Sequence, residues 1–154
     1  EPEVMPVAWQ QVLRMERLVL PRSWRRAKRW RQSLKRGAIK RRAGYAPFRE
    51  LGRKGAIPLG GAVETGAGRL PFRAIIHVAG INMFWLSSER AIRGCVRSAL
   101  GIARERGYRS VAFPLIGAGV GGFSPERTLE IMQDEARQID YDGEARFVRF
   151  RPAR

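Results

Sequence analysis

One cysteine and one histidine in 154 residues leave little material for covalent or metal chemistry. A single thiol, Cys95, excludes an internal disulfide framework, and Cys95 with His77 falls short of a zinc ligand set. Both read as core residues, and neither a metal nor a cofactor is expected. No run of about 18 apolar residues occurs, and the N-terminus lacks the basic, then apolar, then small-residue order of a secretory signal. The chain therefore reads as a cytoplasmic protein with no membrane span, and a monomer is expected. Acidic residues are also scarce: 14 Asp and Glu stand against 30 Lys and Arg, a net charge of +16. The length suits one domain, residues 1–154, with enough apolar residues for a core.

The basic excess is uneven. Residues 1–55 hold sixteen Lys and Arg against four Asp and Glu, whereas residues 56–154 hold fourteen against ten. The densest part runs from Arg22 to Arg31 and interleaves Trp24 and Trp30 with Arg25, Arg26, Arg29 and Arg31. Cations between aromatic rings suit phosphates and stacked bases, so residues 22–42 are a candidate nucleic-acid surface. The same pattern also fits an anionic membrane surface or a solvated helix face.

Glycine concentrates elsewhere. In Ala112-Phe113-Pro114-Leu115-Ile116-Gly117-Ala118-Gly119-Val120-Gly121-Gly122-Phe123 an apolar strand runs into a loop with four glycines among seven residues. Such a loop lets successive backbone N–H groups converge on an anion. A helix opening at Ser124-Pro125 would add its positive N-terminal end, with Ser124 as N-cap and Pro125 at the first helical position. Taken alone, the loop also fits a tight turn.

Around it, strands and helices alternate. A basic helix is expected over about Trp24–Arg42, closed by Gly44, and loop or broken helix over Pro47–Pro58. Strands are expected at Ala62–Glu64, Ala74–Ala79, Val111–Ile116 and Ala145–Phe150, and helices at Ser87–Arg106 and Pro125–Ile139. This order implies an α/β sheet covered on both faces, with ligands outside the carboxyl ends of the strands. Val111–Leu115 is expected beside Ile75–Val78.

Three segments, Gly60–Pro71, Ile75–Gly80 and Ala112–Gly119, together resemble the macrodomain family in order and spacing, closely from about Gly37 to the C-terminus. The resemblance implies a three-layer α/β/α sandwich with a mixed, mostly parallel sheet. It also implies binding of ADP-ribose, and, as in many members, hydrolysis of ADP-ribosyl linkages or of O-acetyl-ADP-ribose. By this resemblance Gly117, Ala118, Gly119, Val120, Gly121 and Gly122 would wrap the diphosphate, and Phe123 would lie beside the ribose and adenosine. Thr65 and His77 are the polar residues that the motifs bring near. His77, in an apolar strand, reads as packed core, and Thr65 joins the expected ligand set. No catalytic residue is assigned.

The N-terminal third departs from the family. Gln10-Gln11-Val12 stands where the family has Gly-Asp-Ile, leaving Gln11 to bond the adenine. Leu18–Trp24 resembles the strand that leads into an asparagine loop but contains no asparagine, and Arg31–Arg36 replaces the first glycine run. Either Arg and Lys replace backbone donors here, or residues of about 22–36 are an out-of-frame stretch, since glycine codons displaced by one base encode Arg, Trp or Gly. The coding DNA decides between them. A nucleic-acid-binding module on a macrodomain scaffold and a folded remnant without ligand are the alternative readings of the whole chain.

Overall fold

In the computed structural model, the residues described are 4–8, 38–82, 84, 86–118 and 121–149. Along the chain come β1 (Val4–Ala8), α1 (Ala38–Ala43), α2 (Ala46–Lys54), β2 (Ala62–Gly66), β3 (Ala74–Val78), α3 (Glu89–Glu105), β4 (Ser110–Pro114), α4 (Pro125–Arg137) and β5 (Glu144–Val148). The strands form one sheet in the order β2-β3-β1-β4-β5. Its β1–β3, β1–β4 and β4–β5 pairs are parallel, and β2 lies antiparallel on β3. The fold is the α/β arrangement that the alternating pattern implies, with the mixed, mostly parallel sheet that the family resemblance implies.

Two expectations are corrected. Val111–Leu115 does not lie beside Ile75–Val78, because β1 separates β4 from β3. Pro6 hides this strand from a sequence reading, since a proline cannot donate to a ladder and argues against a central position. The ladder to β3 runs from Val4↔Ala74 to Ala8↔Val78, whereas that to β4 is registered at Val4↔Val111 alone. The second correction is α2, which is a helix over Ala46–Lys54 where Pro47–Pro58 was expected to be loop or broken. Pro47 falls in the first turn, where the missing N–H has no helical partner to lose.

Strand alternation sorts the side chains into two layers. Ala74, Ile76 and Val78 of β3 and Val111 and Phe113 of β4 join Ile92, Cys95, Val96, Ala99, Leu100 and Ala103 of α3 in the main core. Ile131 and Met132 of α4 complete it. The α3 residues recur at helical spacing, so one stripe of that helix is apolar. Ile75 and His77 point the other way, and Phe48 of α2 meets the His77 ring edge-on at 5.9 Å. The sheet thus lies between α2 and the α3–α4 pair.

Helix ends follow local chemistry. Ser88 caps α3 and Ser124 caps α4, each side chain accepting a backbone N–H three residues on, at 3.1 Å. At the other end of α3, Gly107 adopts φ +66°, with its N–H on Arg104 and that of Tyr108 on Ala103. This is a Schellman closure, which needs a left-handed residue at that point.

Candidate functional site

The carboxyl ends of β3 and β4 deliver two turns to the same edge of the sheet. β4 ends at Pro114, and the turn from Ile116 to Phe123 leads directly into α4. Ile116 N–H donates to Met132 Sδ at 3.4 Å, anchoring the start of the turn on α4. Phe123 N–H reaches Gly117 O at 3.4 Å, and Ala118 and Phe123 form a parallel bridge, so the loop closes on itself. Gly117 is left-handed at φ +83°. Its absent Cβ would meet Ser87 Oγ at 2.7 Å, and one on Gly121 would meet Gly117 O at 2.5 Å. Glycine is therefore required at both positions by space, and at Gly117 also by conformation.

The second turn, Gly80–Ser88, packs against this loop through Ser87. Its N–H donates to Gly121 O at 3.0 Å, and its hydroxyl donates to Gly80 O at 2.7 Å. One serine thereby fixes both strand exits relative to each other. Asn82 stiffens the rest: its Oδ1 accepts from Phe84 N–H at 2.9 Å and Leu86 N–H at 3.0 Å, and its own N–H donates to Leu86 O. Just beyond, the first turns of α3 and α4 are joined by Arg127–Glu89 at 3.1 Å. Two capped helix N-termini thus arrive at the glycine loop, a setting that favours negative charge.

Of the residues expected to bind ligand, the structure brings together Gly117, Ala118, Gly121, Gly122 and Phe123. Gly119 and Val120, Gln11, and the Trp24, Arg25, Arg26, Arg29, Trp30 and Arg31 group lie outside the described residues. Thr65 is not brought to the loop. It pairs in register with Ile75, toward the far end of β3, and is 1 % exposed. Its hydroxyl donates to Gly66 O at 3.1 Å and lies 2.9 Å from His77 Nε2. His77 Nδ1, on the other side of the ring, finds no side-chain or backbone partner among the described residues. Burial lowers the His77 pKa to about 4, against the opposing pull of Glu50. His77 is a neutral core residue, far from what a general base near pH 7 requires. The Cys95 thiol is also buried, and burial pushes it up to about 12 against a backbone hydrogen bond with Gly60, which leaves it unreactive as a nucleophile.

Ser87 is the residue that the sequence reading missed. Its role comes from contacts with Gly117 and Gly121, about thirty residues along the chain, and no local pattern announces them. Among the described residues no cluster of His, Cys, Asp and Glu could hold a metal ion. No described helix is long and apolar enough to cross a membrane.

Comparison with known proteins agrees with this architecture. An uncharacterized protein of Aquifex aeolicus is 38% identical over 103 residues, covering 66% of this chain and 62% of its own length. The O-acetyl-ADP-ribose deacetylase of Klebsiella pneumoniae is 38% identical over 103 residues, covering 62% of this chain and 58% of that protein. The chain thus spans under two thirds of either relative. The crystal structure of the Trypanosoma brucei macrodomain in complex with ADP-ribose superposes with a TM-score of 0.70 at 22% identity, over 97% of this chain and 59% of that one, a likeness of fold. The sequence profile of the Macro domain family matches residues 35–132, and the chain belongs to that family.

Proposed function

We propose that this chain binds ADP-ribose or a related nucleotide diphosphate. The observation that carries the reading is the self-closed glycine turn between β4 and the capped N-terminus of α4, held by Ser87 at the carboxyl edge of parallel strands. Gly117, Ala118, Gly119, Val120, Gly121 and Gly122 supply backbone N–H groups to the diphosphate, and Phe123 lies beside the ribose and adenosine. Gln11 takes the adenine. The bound Trypanosoma brucei ligand and the name of the Klebsiella relative support the choice of ligand.

Deacetylation of O-acetyl-ADP-ribose is the activity in the Klebsiella relative's name, and hydrolysis of ADP-ribosyl linkages is the related activity that the family resemblance implies. Neither His77 nor Cys95 suits it, since one is held neutral and the other protonated by burial. The attacking group is then water, with the glycine turn holding the phosphates in place.

Calorimetry tests the binding. ADP-ribose should bind more tightly than AMP, because the turn holds a diphosphate. Gly121→Val should abolish binding while far-ultraviolet circular dichroism stays unchanged, since its Cβ would collide with Gly117 O within the turn. Equal affinity for AMP and ADP-ribose, or indifference to Gly121→Val, would show that Gly117–Phe123 is only a turn. Acetate release from O-acetyl-ADP-ribose tests the hydrolytic activity separately.

A further inference from the structure

The glycine turn leaves the largest charge imbalance of the described chain unexplained. Residues 38–54 hold six Lys and Arg and a single carboxylate, Glu50. Glu50 is itself engaged, accepting Gly66 N–H at 2.9 Å and lying 3.7 Å from Lys54.

The geometry of α2 arranges part of that charge in a row. Pro47 and Leu51 are its buried residues. At 100° per residue, Arg49 and Arg53 fall on the opposite side, pointing away from the sheet. Tyr45 precedes α2 with helical angles, φ −85° and ψ −14°, and so begins the same row one turn earlier. The row therefore reads Tyr45, Arg49, Arg53, with about 6 Å between steps. All three are exposed, Tyr45 at 69%. Lys40 of α1 sits with Nζ 5.1 Å from the Tyr45 ring centroid, adding a cation at the aromatic end. Arg69 closes the corner, its Nη2 donating to Arg41 O at 2.9 Å and its N–H to Ala43 O at 3.0 Å.

We propose that the row Tyr45–Arg49–Arg53, with Lys40 and Arg69, binds single-stranded nucleic acid, its phosphates on the three guanidinium groups and the Lys40 ammonium and a base on the tyrosine ring. Guanidinium matches phosphate oxygens in a fork that an ammonium lacks. An exposed ring within a line of cations is the arrangement that sequence-tolerant strand binding uses. A lipid surface fits less well. An interfacial helix turns apolar side chains toward the acyl boundary, whereas Pro47 and Leu51 of α2 are buried in the fold and its outward row has no aliphatic side chain. This surface lies on α2, against β2, and its role is independent of what the glycine turn holds.

Fluorescence anisotropy with a labelled oligothymidylate tests this directly. With about four phosphates neutralised, the log–log salt slope of the parent protein should be about −3. R49Q/R53Q should weaken binding and reduce the slope by about 1.4. Y45A should weaken binding about 5- to 150-fold at an unchanged slope, as the loss of one stacked base requires. R127Q/R137Q removes the same charge from α4, where Glu89, Glu130 and Asp134 already answer it, and should bind like the parent. Equal loss in both double variants, or oligothymidylate binding indifferent to R49Q/R53Q, would overturn the proposal. So would parent binding to vesicles of phosphatidylcholine and phosphatidylserine that matches its binding to the oligonucleotide.

Discussion

The two helical layers cover one sheet with unequal charge, one balanced and one basic. α3 and α4 together carry six Lys and Arg and six Asp and Glu, whereas residues 38–54 carry six and one. Between α3 and α4 the charges interlock. Arg93 meets Glu89 at 2.8 Å, Asp134 at 2.7 Å and Glu135 at 3.3 Å, and Arg97 reaches Glu135 at 2.5 Å. α2 instead docks through Phe48 against a neutral His77, with Pro47 and Leu51 buried. Where carboxylates are present, arginine becomes a cross-link between helices. On α2, Arg49 and Arg53 remain surface charge, and the layer is held by apolar contacts and by the Glu50 carboxylate accepting Gly66 N–H.

The sharpest way to break this contrast is at Glu135, only 2% exposed yet holding two arginines. Glu135→Ala removes the buried carboxylate that both arginines share, while Arg93 keeps Glu89 and Asp134 and Arg97 stays in solvent, and urea unfolding should show a loss of about 1.5–3 kcal/mol. A loss below about 1 kcal/mol would mean that α3 and α4 are joined by their apolar stripes and the charges merely decorate them.

The α2 side should respond to pH instead. The His77 pKa is about 4 in the fold, against an ordinary 6.5. The unfolded chain therefore binds a proton first as pH falls, and stability present above about 6.5 is lost progressively down to about 4, by about 3 kcal/mol. The lowered Glu89 and Asp134 pKa values, set chiefly by hydrogen bonds from Arg93, act in the same direction but only below the ordinary carboxylate range. Between pH 6.5 and 4.5 the slope thus belongs to His77. Stability that stays flat across this window, or a slope that survives in His77→Phe, would remove His77 from the account.

What a sequence shows depends on how local the cause is. The caps at Ser88 and Ser124, the apolar stripe of α3 and the left-handed Gly107 all follow from neighbours within a few residues, so these boundaries are legible. The glycine turn was legible for a similar reason, as four glycines within seven residues after an apolar strand. β1 was not, because Pro6 is an unfavourable strand residue whose place comes from the pairing of Val4–Ala8 with β3. The contacts of Ser87 and Thr65 were not legible for one reason: their partners lie far along the chain, Gly121 for the first and His77 for the second.

Gly107→Ala should cost about 1–2 kcal/mol, the cost of a left-handed alanine, because nothing lies within 4 Å of its missing Cβ. ADP-ribose binding should be unchanged, in contrast to Gly121→Val. A stability effect near zero would mean that the end of α3 relaxes into another closure.

The smallest effect is also the one whose sign separates the layers. Arg49 sits in the first turn of α2, which has no acidic residue, so its charge opposes the positive end of the helix. Four residues on, Arg53 repeats the charge on the same side. Arg49→Gln relieves both repulsions and should stabilise the protein by about 0.2–0.5 kcal/mol at low salt. The gain should vanish near 1 M salt, where the screening length falls to about 3 Å. Arg127→Gln, which removes a cation paired to Glu89 and Glu130, should shift stability in the opposite direction under the same conditions. Matched denaturation curves for the two variants at low and high salt decide the point. If Arg49→Gln destabilises at low salt, the cations of α2 are answered within the fold, and the contrast between the layers is lost.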